Sequence, residues 1–214
     1  MRILVINPNS DEETEKVLNR KAEFFRSQKL IIYTTSLKKT PKLMVSKLHW
    51  AQALPEMVDI VSKSEYDGFV IACHADPNLD VLKEISNKPV VGIAEASMKI
   101  ASMVGNGFAI ITPSLKIVTN KRALARKYFC EDLYVTTEVP GNNTYEEVLA
   151  SCVRASKVKG VDSIILGCAN YAEYDTSIEE ELGITILDGL SCALAIIPGL
   201  AHYQNHKRKG VTNA

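Results

Sequence analysis

The sequence predicts an α/β protein built from two pseudosymmetric domains, each a parallel sheet covered by helices, with an active-site cleft between them. Three observations lead there. Short apolar runs alternate with amphipathic stretches along the 214 residues, the pattern of strands joined by helical crossovers. Landmarks of the first half recur in the second in the same order: Ile6-Asn7-Pro8-Asn9-Ser10 as Ile111-Thr112-Pro113-Ser114, and Ile93-Ala94-Glu95-Ala96-Ser97 as Leu187-Asp188-Gly189-Leu190-Ser191. Between those landmarks each half closes an apolar run on a cysteine, Phe69-Val70-Ile71-Ala72-Cys73-His74 and Ile164-Ile165-Leu166-Gly167-Cys168-Ala169.

Strands are expected at 2–7, 30–35, 68–73, 89–93, 107–112, 132–138, 162–167 and 184–188. Helix starts carry capping signals: Ser10 with Glu13, Thr144 with Glu147, and Asp76 as an N-cap with Pro77 in the first turn. Glu95 reads as the start of an amphipathic helix. Pro55 falls inside a helical pattern from Leu48 to Ser64, which therefore kinks there or begins at the proline. Ser36 to Ser46, with Pro41 and three lysines, reads as a surface loop. The halves divide at Gly105-Asn106-Gly107, giving domains 1–104 and 105–197, with a C-terminal helix at 198–214 that can rejoin the first domain.

Composition narrows the partners. Hydrophobic residues make up 46% of the chain, enough for a real core, and 25 basic against 25 acidic residues leave no net charge. No basic footprint for nucleic acid or for an anionic membrane exists, so small molecules or a second copy of the chain are the expected partners. Apolar runs stay short of the roughly 18 residues of a membrane span and no secretory leader is evident, so a cytoplasmic location is expected.

Five cysteines in a reducing compartment remain thiols. Cys130, Cys152 and Cys192 read as small buried hydrophobes at a turn, on a helix face and at a helix start. No glycine-rich dinucleotide loop or phosphate-binding loop follows a strand, so no cofactor is expected. Cys73, His74 and Asp76 lack the paired spacing of zinc sites, and no metal is expected. His74 is a possible base for Cys73 only if a turn reorients it, because neighbours along a strand point to opposite faces. His49, His202 and His206 read as surface or helix residues, and Lys207-Arg208-Lys209 as a solvated tail.

Two thiols arriving from equivalent halves suit a reaction that needs a base on one face of a carbon and an acid on the other. Racemisation beside a carbonyl is that reaction: one cysteine, as thiolate, removes the proton, and the other, as thiol, returns one to the opposite face. The helix opening at Asp76-Pro77 is expected to favour the Cys73 thiolate, and backbone N–H groups at His74-Ala75 and Ala169-Asn170 to receive the enolate oxygen.

These motifs resemble the aspartate/glutamate/hydantoin racemase superfamily, most closely its hydantoin and allantoin racemase branch. The resemblance spans nearly the whole chain and rests on Ile6-Asn7-Pro8-Asn9-Ser10, on Ala72-Cys73 with Asp76-Pro77 and Leu79, on Pro89-Val90-Val91-Gly92-Ile93 with Glu95-Ala96, and on Ile165-Leu166-Gly167-Cys168-Ala169. It implies a cofactor-independent relay between Cys73 and Cys168 and a homo-oligomer. It also implies a substrate cleft lined by Asn7, Pro8, Asn9, Ser10 and Thr112, with the groups around each cysteine (His74, Ala75, Gly167, Ala169, Asn170) holding the substrate.

Amino-acid racemases of the superfamily usually carry Cys-Asn-Thr and Cys-Thr-His, where this chain has Cys73-His74-Ala75 and Cys168-Ala169-Asn170. The implied substrate is therefore a five-membered cyclic ureide, a hydantoin first and allantoin second. Asn78, Asn170 and Tyr171 stand where the branch usually has other residues, which points to a ring with more polar substituents. The alternatives are an aspartate or glutamate racemase, an isomerase or decarboxylase using a covalent cysteine as in maleate isomerase-like relatives, and a non-catalytic small-molecule-binding protein.

Overall fold

A computed structural model describes the backbone of residues 1–211 and the side chains of residues 1–207. Residues 212–214 of the expected C-terminal helix, and the side chains of Arg208 and Lys209 in the expected tail, lie outside the described residues. Eight strands form within two residues of their expected limits. β1 (Arg2–Asn7), β2 (Ile31–Ser36), β3 (Gly68–Ile71) and β4 (Val90–Gly92) make one four-stranded sheet, ordered β2-β1-β3-β4. β5 (Phe108–Ile111), β6 (Tyr134–Glu138), β7 (Ser163–Leu166) and β8 (Thr185–Asp188) make a second, ordered β6-β5-β7-β8. Every pairing is parallel, and the two orders are the same topology repeated.

Parallel strands covered on both faces must be apolar throughout, and β3, β5 and β7 are buried at every position. The two faces follow the period of two: Leu4, Ile6, Phe69 and Ile71 enter one apolar cluster, Ile3, Val5 and Val70 another. The first of these clusters does not stop at the boundary between halves. It continues through Phe108, Ile110, Ile165 and, on α5 (Val118–Lys127), Leu124 and Ala125. The far face of the second sheet packs on α6 (Tyr145–Ser156) and α7 (Asp175–Leu182) through Val148, Cys152 and Ile178.

The last helix, α8 (Gly189–Val211), begins right after β8 rather than at residue 198. Its buried side chains Leu190, Ala193, Leu194 and Ile197 pack with Ile3, Val5, Val70 and Val91, so it crosses from the second sheet to cover the first. Among the described residues no helix is long and apolar enough to cross a membrane. Cys130, Cys152 and Cys192 are buried thiols.

Local signals were answered differently where tertiary partners competed. Asp11, not Ser10, caps α1 (Glu12–Glu23), its carboxylate accepting from the N–H and hydroxyl of Thr14. Thr144 occupies the N-cap of α6, yet its hydroxyl caps nothing and Glu147 accepts from Gly141 N–H. Asp76 does not cap α3 (Leu79–Ile85), which follows Asn78 in the left-handed region (φ 60°). Its carboxylate instead accepts from the N–H groups of Ala94 and Glu95, at the start of α4 (Ile93–Val104). α2 (Lys47–Lys63) runs unbroken through Pro55, which sits on its exposed side where the released carbonyl meets water. The 36–46 segment is a loop, but Leu37 and Met44 are buried under it and it folds over the cavity described below.

An ionic link also joins the halves. Lys21 on α1 reaches Asp175 at 2.6 Å, at the start of α7, and Asp188 at 3.5 Å, at the end of β8, with the three side chains at most 16% exposed. Burial pushes the Asp188 carboxyl up to about 6, against the pull of the Lys21 ammonium. Lys21→Met removes the cation and leaves both carboxylates buried, so unfolding free energy from urea titration at pH 7.5 is expected to fall by about 3 kcal/mol. A carboxyl whose folded pKa is raised favours folding while protonated and loses that contribution as pH rises through about 6. The penalty in the variant is therefore expected to shrink when the titration is repeated below pH 6.

Candidate active site

β3 and β7 are the equivalent inner strands of the two sheets, and each ends two residues before its cysteine. Cys73 and Cys168 thus sit in turns at the carboxyl ends of parallel strands, where α/β sheets bind ligands. Both turns open onto one cavity of about 110 Å³, and both residues are half-buried at its wall. A larger groove of about 490 Å³ lies beside β4, α4 and α8 but holds no cysteine, so chemistry rather than size marks the site.

The cavity collects most of the expected residues. Asn9, His74, Ala75, Gly167, Ala169 and Asn170 line it together with the two cysteines. Asn7, Pro8, Ser10 and Thr112 do not line it. Asn7 is fully buried and spends its amide on Asn9 Oδ1 (2.8 Å), Ser36 Oγ (3.0 Å) and the Asp11 carbonyl (3.3 Å), so it holds the loop that presents Asn9. Pro8 is buried in the same loop, and Ser10 ties that loop to the next by donating its N–H to the Pro41 carbonyl. Thr112 is fully buried, its N–H bonded to the Glu138 carbonyl, while its neighbour Pro113 takes the place on the cavity wall.

The residues that suggested a more polar substituent divide in the same way. Asn170 is on the cavity. Asn78 donates to the Trp50 carbonyl at 2.7 Å, and Tyr171 is buried in the second-half core with its hydroxyl on Asn143. Neither lines the cavity. The remaining wall comes from residues that sequence reasoning passed over: Asp11 and Thr14 at the start of α1, Lys42, Leu43 and Met44 from the covering loop, and Ile117 with Lys121 from the second half.

Lys121 is the principal omission. It is 1% exposed, and its ammonium donates to the His74 carbonyl (2.6 Å), the Gly167 carbonyl (3.1 Å) and His74 Nδ1 (3.2 Å). A signal was present: Lys121 shares the inward face of α5 with Leu124 and Ala125, at the three- and four-residue spacing of an apolar stripe. A lysine on such a stripe must carry its charge inward.

His74 is held neutral. Burial first, and the Lys121 charge second, push its pKa well below the ordinary value. With Nδ1 accepting from Lys121, Nε2 carries the proton and donates to Ser97 Oγ (3.1 Å), which in turn donates to the Ala94 carbonyl (3.2 Å). Both ring nitrogens are therefore committed to the scaffold, and His74 is not a base for Cys73. Asp76 fixes the same turn from the other side, receiving the Tyr128 hydroxyl at 2.6 Å in addition to the α4 N–H groups. Gly92 makes room for it, since a Cβ there would lie 2.3 Å from the carboxylate. Burial lifts the Asp76 carboxyl to about 6, and these three donors moderate the rise.

The surrounding protein raises the Cys73 thiol to about 11 and raises Cys168 as well, burial being the largest cause for both. The opposing influences are duplicated like the fold. The backbone N–H two residues on, from Ala75 in one turn and Asn170 in the other, lowers each value, and the Lys121 charge lowers both. The helix expected to favour the Cys73 thiolate begins at Leu79, six residues beyond the sulfur-bearing residue. The arrangement offers two thiols on one small, mostly apolar cavity, each with its own N–H donor and both beside one cation.

The chain is similar in sequence to hydantoin racemase of Pseudomonas sp. (strain NS671), at 32% identity over 89% of this chain and 82% of that one. It is 27% identical to hydantoin racemase of Paenarthrobacter aurescens over 97% of this chain and 94% of that one. In structure it is similar to allantoin racemase from Klebsiella pneumoniae, with a TM-score of 0.88 at 26% identity, covering 95% of this chain and 88% of that one. The profile of the family described as Asp/Glu/Hydantoin racemase matches residues 3–197, a span that takes in both sheets and both cysteine turns, and the chain belongs to that family.

Proposed function

We propose that the chain racemises a five-membered cyclic ureide, a hydantoin first and allantoin second, by a proton relay between Cys73 and Cys168. The observation that carries this reading is the convergence of two thiols, from equivalent turns of the two sheets, on one cavity. Its support from relatives is that the similar proteins bear the names hydantoin racemase and allantoin racemase.

At about 110 Å³ the cavity is smaller than the roughly 150 Å³ that takes up benzene, which limits what it encloses to a compact group such as one small ring. Ala72, Met44, Pro113 and Ile117 give the cavity apolar walls against which the faces of a ring can pack. Asn9 turns its Oδ1 to the Asn7 amide and the Asp11 N–H, which leaves its NH₂ to donate to a ring carbonyl.

In the forward direction one cysteine, as thiolate, takes the proton from the ring carbon beside the carbonyl, and the electron pair moves onto the carbonyl oxygen as an enolate. The other cysteine, as thiol, then protonates the opposite face, leaving the pair with its charge exchanged and ready for the reverse reaction. The Ala75 and Asn170 N–H groups favour whichever sulfur is the anion.

Proton exchange in deuterated water, followed by NMR over hydantoins, allantoin, aspartate and glutamate, tests the assignment. The wild type is expected to exchange both enantiomers of a cyclic ureide. Cys73→Ser and Cys168→Ser are each expected to lose racemisation by about 10²- to 10⁴-fold while slowly exchanging one enantiomer. Full racemisation by either variant sinks the relay. Exchange confined to aspartate or glutamate would place the substrate elsewhere, and a mass adduct on either sulfur would replace the relay by covalent chemistry.

The raised thiol values give a second expectation, with its sign. A thiol whose pKa lies above neutrality gains thiolate as pH rises, so kcat/KM is expected to climb from pH 6 to pH 8 rather than level off near 7. A profile falling over that range in racemisation assays followed by circular dichroism contradicts a thiolate base.

A further inference from the structure

The two turns that carry the cysteines belong to different sheets, and one side chain ties them together. Lys121 Nζ bonds the carbonyl of His74, the residue after Cys73, and the carbonyl of Gly167, the residue before Cys168. Its third bond goes to His74 Nδ1, whose own proton continues to Ser97 and from there to the Ala94 carbonyl. Three acceptors meet three donors. An ammonium supplies all three bonds, whereas a neutral amine supplies two and must accept from His74 Nδ1–H, which turns the Ser97 hydroxyl to His74 Nε2 and away from the Ala94 carbonyl.

No carboxylate oxygen bonds the charge this inventory favours, and Asp76 acts on it only across space, with less effect than either cysteine. Of the groups facing it, His74 is neutral, and the Asp76 oxygens are taken by Tyr128, Ala94 and Glu95. Glu95 itself pairs with Lys83, and Asp11 is turned to Thr14 at the head of α1. Cys73 and Cys168 remain, one on each side, and the interaction of both with the lysine is attractive when they are ionised. A buried cation left unpaired is costly, and here the anion that relieves it is the one the reaction needs.

We propose that Lys121 is the shared positioning residue of the cysteine pair: its ammonium, fixed between the two turns, is the standing counter-ion for whichever thiol gives up its proton. This rests on the racemase reading and goes further, because it explains how one excess charge passes between two sulfurs without rebuilding the site. Ionising a thiol breaks no bond of this network, whereas deprotonating the lysine forces the His74–Ser97–Ala94 chain to reverse. Burial brings the Lys121 amine down to about 8 and raises the Cys73 thiol to about 11. The ammonium lowers the thiols and the thiolates raise the lysine, so the groups titrate as a coupled set.

Alkylation by iodoacetamide reads thiolate directly and needs no substrate. In Lys121→Met the pH midpoint for alkylation of both Cys73 and Cys168, resolved by peptide mass spectrometry, is expected to rise by about one unit, with the rate at pH 7.5 falling about tenfold. Lys121→Arg keeps the charge and is expected to recover part of that rate. Steady-state kinetics should show the loss in kcat rather than KM. An unmoved midpoint at either cysteine in a folded Lys121→Met overturns the shared role.

Should that variant not fold, NMR of the protein carrying ¹³Cε-lysine serves instead. The Lys121 titration is expected to move to lower pH in both Cys73→Ser and Cys168→Ser, and an unchanged titration in either overturns the proposal. The two readings fail separately. If the wild type exchanges no ureide proton while the alkylation shift persists, the racemase assignment falls and the lysine–thiol coupling stands.

Discussion

The carbonyl oxygens of His74 and Gly167 come from turns that end strands in different sheets, and both point at the same ammonium. A buried carbonyl without a donor destabilises its own turn, so these two bonds set where each turn can lie. Because each carbonyl is one residue from a cysteine, they also set where each sulfur lies relative to the other. The spacing of the pair is thus a property of one side chain on α5, and the helix holds that side chain through the apolar contacts of Leu124 and Ala125.

The same economy appears at the helix ends. α4 begins under the carboxylate of Asp76, which belongs to the Cys73 turn, and α8 begins under that of Asp188, at the end of β8, which accepts from Leu190 and Ser191. Both capping carboxylates are buried, and burial lifts both to about 6. They stand in comparable places of the two halves but come from different positions in the repeat. The duplication is therefore kept in topology and in the cysteines, and relaxed in how each half closes its turn.

This difference explains what could be read from the sequence. The strands were legible because a parallel strand buried on both faces has to be apolar along its length, and the cysteines because each ends such a run. Asp76 was misplaced because an Asp-Pro pair before an apolar stretch signals a local cap, whereas its partners lie about 18 residues away, across the sheet. Asn78 and Tyr171 were read toward the ligand from their neighbours in sequence, but a turn sends adjacent side chains in different directions, and both point into protein. Lys121 was invisible by residue type, since lysine is nearly always solvated and only its place on an apolar helix face betrays it.

The return of α8 to the first sheet has a consequence for the wall of the cavity. With α8 stitched across the sheets, an apolar cluster continuous between them and Lys21 locked to Asp175 and Asp188, the halves cannot swing apart without exposing core. The segment that covers the cavity is anchored differently, by buried Leu37, Thr40 and Met44 and by the Ser10 N–H on the Pro41 carbonyl, with Lys42 and Leu43 left exposed. Lys42 and Leu43 are thus the part of the wall whose substitution disturbs neither the core nor the spacing of the sulfurs.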